Sequence, residues 1–521
     1  MGNMAPQMYA AVSKHKEHVD INKIDQTPGF KEWRITEDQL PDKEVVVKPV
    51  NGELPPLEKC FNIGLSVDTE KIYPASTKTK SMMLSFSETV MGALKQDTCA
   101  ADIICVIDIS GSMQGEKLRN VKTTLKYLVH VMEGSRLALV TFDDRADTLL
   151  NFKVIDAKNS PKILDIIDSL KERGSTNIAG AALHAQKLIG LRRSRNKVCS
   201  VFFLSDGQHN QGPISQEMMF DGDYSRANSE YTLHCFGYGD DHDAKLMQGM
   251  SQRKGGNYYF VHDVKRVDEC FVDCLGTVTT ALAESAMIRV NFKPSTHGAQ
   301  LKIAKVSSHN TKVVSASTLE ARMLTVYAGV QKDFLFDAEF VPGTAQDGDI
   351  IEAEIFFEFN KLGAQELTNT TKTVRIEVAA ANAEPPANNS NPNVAKNLLR
   401  VKSVEIFKAV MGLANGPTKD VAVSLLTGFE VELTKDPAIA NDPLIKALID
   451  VTVRAKTMLQ SQIAGKPIEF KVDNYLVQQI NSFENQSSTP LFEQQGLFCN
   501  DKQLQNLSTL KNDNKPAAKM R

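Results

Sequence analysis

The chain predicts a doubly wound α/β domain with a mostly parallel sheet, inserted in or flanked by a β-sandwich and followed by a helical C-terminal region. Three observations carry this expectation. Between residues 99 and 284, apolar runs without alternation (Asp102–Ile109, Val198–Leu204) are separated by segments with helical apolar spacing, the pattern of a parallel sheet covered on both faces. Beyond Ala286 short strand-like runs follow one another, broken by turn residues, which suggests a sandwich. From residue 394 the apolar spacing becomes helical again.

Taken in order, residues 1–56 are polar with scattered prolines and form a flexible lead, in which Trp33, the single tryptophan, is a candidate anchor. Residues 57–98 contain the strand-like runs Phe61–Val67 and Ser81–Phe86 and are assigned to the sandwich. The α/β domain spans 99–284. Its first strand leads to a helix whose Leu118, Val121, Leu125, Leu128, Val129 and Met132 line one face. Strands at Arg136–Phe142 and Thr148–Val154 precede a helix opened by Ser160-Pro161, a proline suited to a first turn. A glycine-containing loop, Arg173–Asn177, leads to the helix Ile178–Leu191. Two further strand–helix units complete the domain, the last expected as a helix over Val264–Ala283. The sandwich occupies 285–380, a linker rich in Asn, Pro and Ala 381–393, helices 394–470, and a polar Asn- and Gln-rich tail 471–521, with a short helix around Tyr475–Phe483.

Composition excludes several classes. With 42% hydrophobic and 24% charged residues the chain is an ordinary globular one, and 60 basic residues against 63 acidic ones offer no electrostatic footprint for nucleic acid. No apolar run is long enough to cross a bilayer. The segment Met1–Asp20 is polar where a secretory signal needs an apolar stretch, and Pro6 stands where myristoylation wants Ser or Thr. A cytoplasmic address follows as the expectation. The eight cysteines agree with a reducing compartment: Cys105, Cys199 and Cys235 lie in apolar strand runs, and the helical pair Cys270 and Cys274 lacks a second pair of ligands.

The chemistry gathers at strand ends. The first parallel strand runs into Asp108-Ile-Ser110-Gly-Ser112, at the place where open α/β sheets bind ligands. An Asp-x-Ser-x-Ser pattern occurs by chance in a chain of this length roughly one time in ten, and Ser or Asp after a strand is also an ordinary helix cap. Two further oxygen donors occupy comparable loops, Thr176 in Gly174–Asn177 and Asp206 in Leu204–Gly207. Carboxylates and hydroxyls together suit a hard cation such as Mg²⁺, with Mn²⁺ or Ca²⁺ as alternatives. His209, three residues past Asp206, reads as a surface-loop histidine rather than a group at the site, and His130 and His184 fall on helices. Neither a phosphate loop nor a Gly-x-Ser-x-Gly elbow is present.

Residues 99–284 resemble the von Willebrand factor A (VWA) domain family through Asp108–Met113, Gly174–Asn177, Leu204–Gly207 and Phe236–Asp243. The resemblance implies a metal-ion-dependent adhesion site. Ser110, Ser112 and Thr176 would contact the cation, Asp108 and Asp206 would act directly or through water, and an acidic residue of a protein partner would fill the last position. Ser175 replaces a more usual glycine. The flanking strands and helices resemble the arrangement in intracellular eukaryotic VWA proteins, more loosely that of the secreted inter-alpha-trypsin-inhibitor heavy chains. Some plant relatives add a RING or U-box module, whose paired Cys/His ligands are not found here. The expectation is therefore a non-enzymatic, metal-dependent adaptor. The alternative is a substrate-presenting or regulatory subunit of an ATP-driven remodelling or ubiquitin-linked complex, and a metal-dependent hydrolase is the poorest fit.

Overall fold

The computed structural model describes residues 37–39, 61–75, 78–88, 100–196, 198–206, 231–261, 267–308, 310–361, 367–386, 389–468 and 470–487. Trp33, His209 and Gly207 lie outside them. The described residues up to Thr279, apart from 61–88, form one compact unit, and the remainder form a second.

Strands β1 (Phe61–Val67) and β2 (Thr79–Glu88) come first in the chain and pair antiparallel. The α/β unit then runs through β3 (Ala101–Asp108), α1 (Glu116–Val131), β4 (Arg136–Phe142), β5 (Ala146–Val154), α2 (Ser160–Asp168), α3 (Ile178–Gly190), β6 (Val198–Ser205), β7 (Thr232–Tyr238), α4 (Ala244–Arg253), β8 (Tyr258–Val261) and α5 (Val267–Val278). Its six-stranded sheet has the order β5-β4-β3-β6-β7-β8. Strands β3, β4 and β6 are buried along their whole length, which is why their sequences show no alternation. Only β5 runs antiparallel, because the β4–β5 connection is a tight turn closed by Asp143 N–H donating to Arg145 O at 3.0 Å, too short for a crossover helix. Helix α1 turns Leu118, Val121, Leu125, Leu128 and Val129 to the sheet.

The helix expected over Val264–Ala283 ends at Val278, where Thr279 Oγ1 bonds back to Leu275 O at 2.7 Å. The chain from Ala281 to Lys293 is instead strand β9, six residues earlier than the run read as Met287–Phe292. Two ladders hold this extension, Ala281 opposite Tyr327 and Ala283 opposite Lys361. Pairing on both sides outweighs the helical preference of the Ala-Leu-Ala start.

The second unit is a sandwich. Beyond β9 come β10 (Gln300–Val306), β11 (Thr311–Ser315), β12 (Thr318–Tyr327), β13 (Gln331–Val341), β14 (Ile350–Lys361) and β15 (Leu367–Glu377). One sheet has the order β1-β2-β13-β10, the other β11-β12-β9-β14-β15. Strand β2, from before the α/β segment, pairs along its length with β13 from beyond it. Phe61 on β1 packs edge-on against Phe357 and Phe359 of β14, centroids 5.5 and 5.4 Å apart. The α/β unit is thus inserted between two parts of one sandwich. The Asn/Pro/Ala linker is pinned rather than free: Ala379 N–H donates to Ile72 O, and Asn391 N–H to Asp68 O. Asn391 then caps α6 (Pro392–Leu413), followed by α7 (Lys419–Leu433), α8 (Pro443–Ile463) and α9 (Val472–Asn485). Buried Arg400 of α6 donates to Asp333 O at 3.1 Å and Phe483 O at 2.6 Å, tying the helices to β13. Among the described residues no helix is long and apolar enough to cross a membrane.

At the starting ends of β3 and β4 lies a buried charge network. Arg136 donates through Nε and Nη2 to both oxygens of Asp102, at 2.7 Å each, and Arg192 Nη1 reaches Asp102 Oδ2 at 2.5 Å. Two guanidinium groups face one carboxylate, and the balance comes from the lead: Glu37 Oε1 lies 3.2 Å from Arg136 Nη1. Asp38 adds to the strap, accepting from Val154 N–H and Lys153 and donating its N–H to Phe152 O. Glu37→Ala leaves a buried arginine charge uncompensated and should cost about 3 kcal/mol of stability. Urea denaturation of the full chain checks this, and an unchanged midpoint of the α/β transition would show that the strap contributes nothing.

Candidate metal centre

The site is assembled at the carboxyl ends of the two central strands, β3 and β6, which are parallel neighbours. Each ends in a buried acid: Asp108 is the last residue of β3 and Asp206 follows β6, both with no exposed surface. Neither carboxylate is left bare. Ser205 Oγ donates to Asp108 Oδ2 at 2.5 Å, and Ser110 N–H donates to Asp108 Oδ1 at 2.9 Å. After Asp108 the chain makes a single 3₁₀ turn, Gly111–Met113, closed by Met113 N–H donating to Ser110 O and anchored by the buried Met113 side chain. The turn lines up the two serine hydroxyls, whose oxygens are 3.0 Å apart. Ser112 Oγ also donates to Asp206 Oδ1 at 3.0 Å.

Thr176 comes from the loop between α2 and α3, and that loop is bonded to the serine turn: Gly111 N–H donates to Gly174 O at 3.2 Å and Arg173 N–H to Ile109 O at 2.6 Å. Gly174 has φ +68°, and a Cβ there would sit 2.9 Å from Asp143 Oδ2, so only glycine fits. Asp143, buried after β4, organises this loop by accepting Asn177 N–H on its carbonyl at 2.7 Å and pairing with Arg173 Nε at 2.6 Å.

Asp108, Ser110, Thr176 and Asp206 are buried, while Ser112 is exposed. Four of the five residues marked by the motifs, Asp108, Ser110, Ser112 and Asp206, form one hydrogen-bonded chain, and Thr176 stands in the adjoining loop. Burial pushes the Asp108 carboxyl up to about 6, against the lowering effect of its bonds to Ser110 and Ser205, with the Asp206 charge adding to the rise. The donor set fits a hard divalent cation: every candidate donor is oxygen, and the two desolvated carboxylates call for countercharge. Cys270 and Cys274 are also buried, and among the described residues no group of three His, Cys, Asp or Glu side chains surrounds a common point.

Three residues at the site escape the motif reading. Asp143 is one. Lys117, in the first turn of α1, places Nζ 2.8 Å from Asp206 Oδ2 and 3.5 Å from Oδ1 of the exposed Asp241. Burial lowers the Lys117 pKa, but the hydrogen bond and charge of Asp206, with help from Asp241, outweigh it and hold the ammonium above its ordinary value. The Phe236–Asp243 motif proves structural. Buried His242 bonds through Nδ1 to Gly239 O and through Nε2 to the Tyr258 hydroxyl, both at 2.5 Å. A Cβ on Gly237 would meet its ring at 2.5 Å, and Asp243 caps α4. Of the helical histidines, His184 is buried against Thr148 Oγ1 at 2.8 Å and His130 is exposed.

Residues 102–271 match the family model of the von Willebrand factor type A domain, and the chain carries a domain of that family. Curated relatives include an uncharacterized protein of Synechocystis, 25% identical over 40% of this chain and 48% of its own length. The E3 ubiquitin-protein ligase WAV3 of Arabidopsis thaliana is 22% identical over 47% of this chain and 31% of its own. Mouse inter alpha-trypsin inhibitor heavy chain 4 is 26% identical over 30% and 18% respectively. The chain thus spans less than half the length of each. Among solved structures, a von Willebrand factor type A protein from Catenulispora acidiphila superposes with a TM-score of 0.59 at 14% identity, over 82% of this chain and 97% of that one. The ArnB paralog VWA2 from Sulfolobus acidocaldarius gives 0.50 at 14%, over 82% and 99%. The likeness reaches well beyond the α/β unit and shows a shared fold.

Three buried histidines set the acid response of the α/β unit. Burial lowers His184 to about 4, His234 to about 3 and His242 to about 4. Each is depressed below the unfolded value near 6.5, so the stability of holding it neutral is full above that pH and is lost as pH falls toward 4. Asp108, with its raised value, acts in the opposite sense but is one group against three. The unit should lose on the order of a few kcal/mol between pH 6.5 and 4.5, and His234→Gln should flatten that slope. Denaturant midpoints that do not move across this range would contradict these assignments.

Proposed function

We propose that the chain is a non-catalytic cytoplasmic adaptor that captures an acidic residue of a protein partner through a divalent cation, Mg²⁺ in the first instance, held by Asp108, Ser110, Ser112, Thr176 and Asp206. The observation that carries this reading is the chain of hydroxyls and buried carboxylates, with Ser112 exposed at its end. When bound, the ion supplies positive charge at the surface. Hydroxyl ligands are neutral and leave much of that charge uncancelled, so an external carboxylate is the natural completing ligand. The family match supports the reading, since VWA domains commonly serve as protein-interaction modules. The buried acids also have a place in it, because they hold the ion without reaching the partner themselves.

The name of the Arabidopsis relative favours one variant: the same capture could serve as the substrate-presenting part of a ubiquitin-linked assembly, with the transfer chemistry supplied by another component. Both variants share one test. Ser112→Ala and Thr176→Ala remove a ligand without removing core volume, and loss of a buried hydroxyl contact of this kind corresponds to about tenfold in binding. In affinity capture from native extract, the partners retained by wild type in Mg²⁺ should be lost with chelator, regained on adding Mg²⁺ back, and reduced about tenfold with either variant. Retention indifferent to all of these would place the binding surface elsewhere.

A further inference from the structure

Lys117 is an anomaly on two counts. A cation in the first turn of a helix opposes the helix dipole, and this one points at a group of oxygens that otherwise attracts cations. Its ammonium sits 2.8 Å from Asp206 Oδ2, the carboxylate whose other oxygen accepts from Ser112 Oγ at 3.0 Å. The serine chain and the lysine therefore share one carboxylate. Oδ1 of the exposed Asp241 lies 3.5 Å from the same ammonium. A Cβ on Gly239 would lie 3.2 Å from Lys117 Cε, so the backbone at Gly239 passes close to the lysine stem.

We propose, resting on the cation reading above, that Lys117 is a tethered competitor for the metal site and Asp241 its second acceptor. In the structure the ammonium neutralises Asp206. With a divalent cation held at the serine chain, the ammonium would give up that carboxylate and shift its pairing to Asp241. A monovalent ion gains nothing over the ammonium it displaces, whereas a divalent ion does, so the device selects for charge. It also keeps affinity in the free protein low, since the ammonium must give up Asp206 and then stands close to the ion, a cost equivalent to about tenfold in binding. A carboxylate arriving from a partner relieves that repulsion.

The test is calorimetric titration of the full chain with Mn²⁺, comparing wild type, Lys117→Met, Lys117→Arg, Asp241→Asn and the Lys117→Met/Asp241→Asn double variant, with Ser112→Ala marking the site. Lys117→Met should bind Mn²⁺ about tenfold more tightly than wild type, and Lys117→Arg should stay near it. Asp241→Asn should weaken binding severalfold, and that loss should shrink or vanish when Lys117 is already Met. Equal or weaker binding by Lys117→Met would overturn competition and make the lysine a support for Asp206. An Asp241→Asn loss of the same size in both backgrounds would overturn the handover, leaving Asp241 a plain surface charge. Silence in wild type with binding in Lys117→Met would support the proposal. Silence in both, or binding undiminished by Ser112→Ala, would overturn the cation reading itself.

Discussion

Two carboxylates, Asp108 and Asp206, are buried side by side at the ends of neighbouring parallel strands, and much of the surrounding structure follows from that arrangement. Like charges out of water are costly, and the chain surrounds them with what compensates: hydroxyls from Ser110, Ser112 and Ser205, a backbone N–H at Ser110, and the Lys117 ammonium. The parallel sheet makes the placement unavoidable, since β3 and β6 deliver their last residues to the same edge. The glycine at 174 and the acid at 143 are needed because the Thr176 loop must approach that edge closely. A cation is the compensation for which this set of oxygens is suited.

The same strand solves the converse problem at its other end. Asp102 is the second residue of β3 and Asp108 closes it, with only apolar residues between. At Asp102 the compensation is permanent, from Arg136 and Arg192 inside the unit and Glu37 from the lead. At Asp108 and Asp206 it rests on serine hydroxyls and on the Lys117 ammonium.

Much of this was legible in the residues. Continuous apolar runs marked the buried strands, and Asp-x-Ser-x-Ser and Asp206 stood at strand ends with Thr176 in an interhelical loop, so the residues that meet at this edge carried a sequence signal. The long-range partners were not legible. Glu37 meets Arg136 across 99 positions, and no local pattern encodes that. Ala281–Ala283 read as helix because their spacing fits one, yet pairing with β12 and β14 decides the matter. Lys117 did leave a signal, a basic residue where a helix start disfavours one, but its meaning needs Asp206 and Asp241 in view. The histidine of the Phe236–Asp243 motif is a brace, both ring nitrogens committed to Gly239 and Tyr258.

The central claim is that these oxygens hold a divalent cation at the carboxyl edge of the sheet. Anomalous diffraction from crystals of the full chain grown in Mn²⁺ tests it most directly, because it locates the ion without reference to any partner. A manganese peak is expected within direct coordination distance of the Ser110, Ser112 and Thr176 hydroxyl oxygens, with Asp108 and Asp206 in direct or water-mediated contact. A peak seated elsewhere, or a site filled only by water at millimolar Mn²⁺, would contradict the claim.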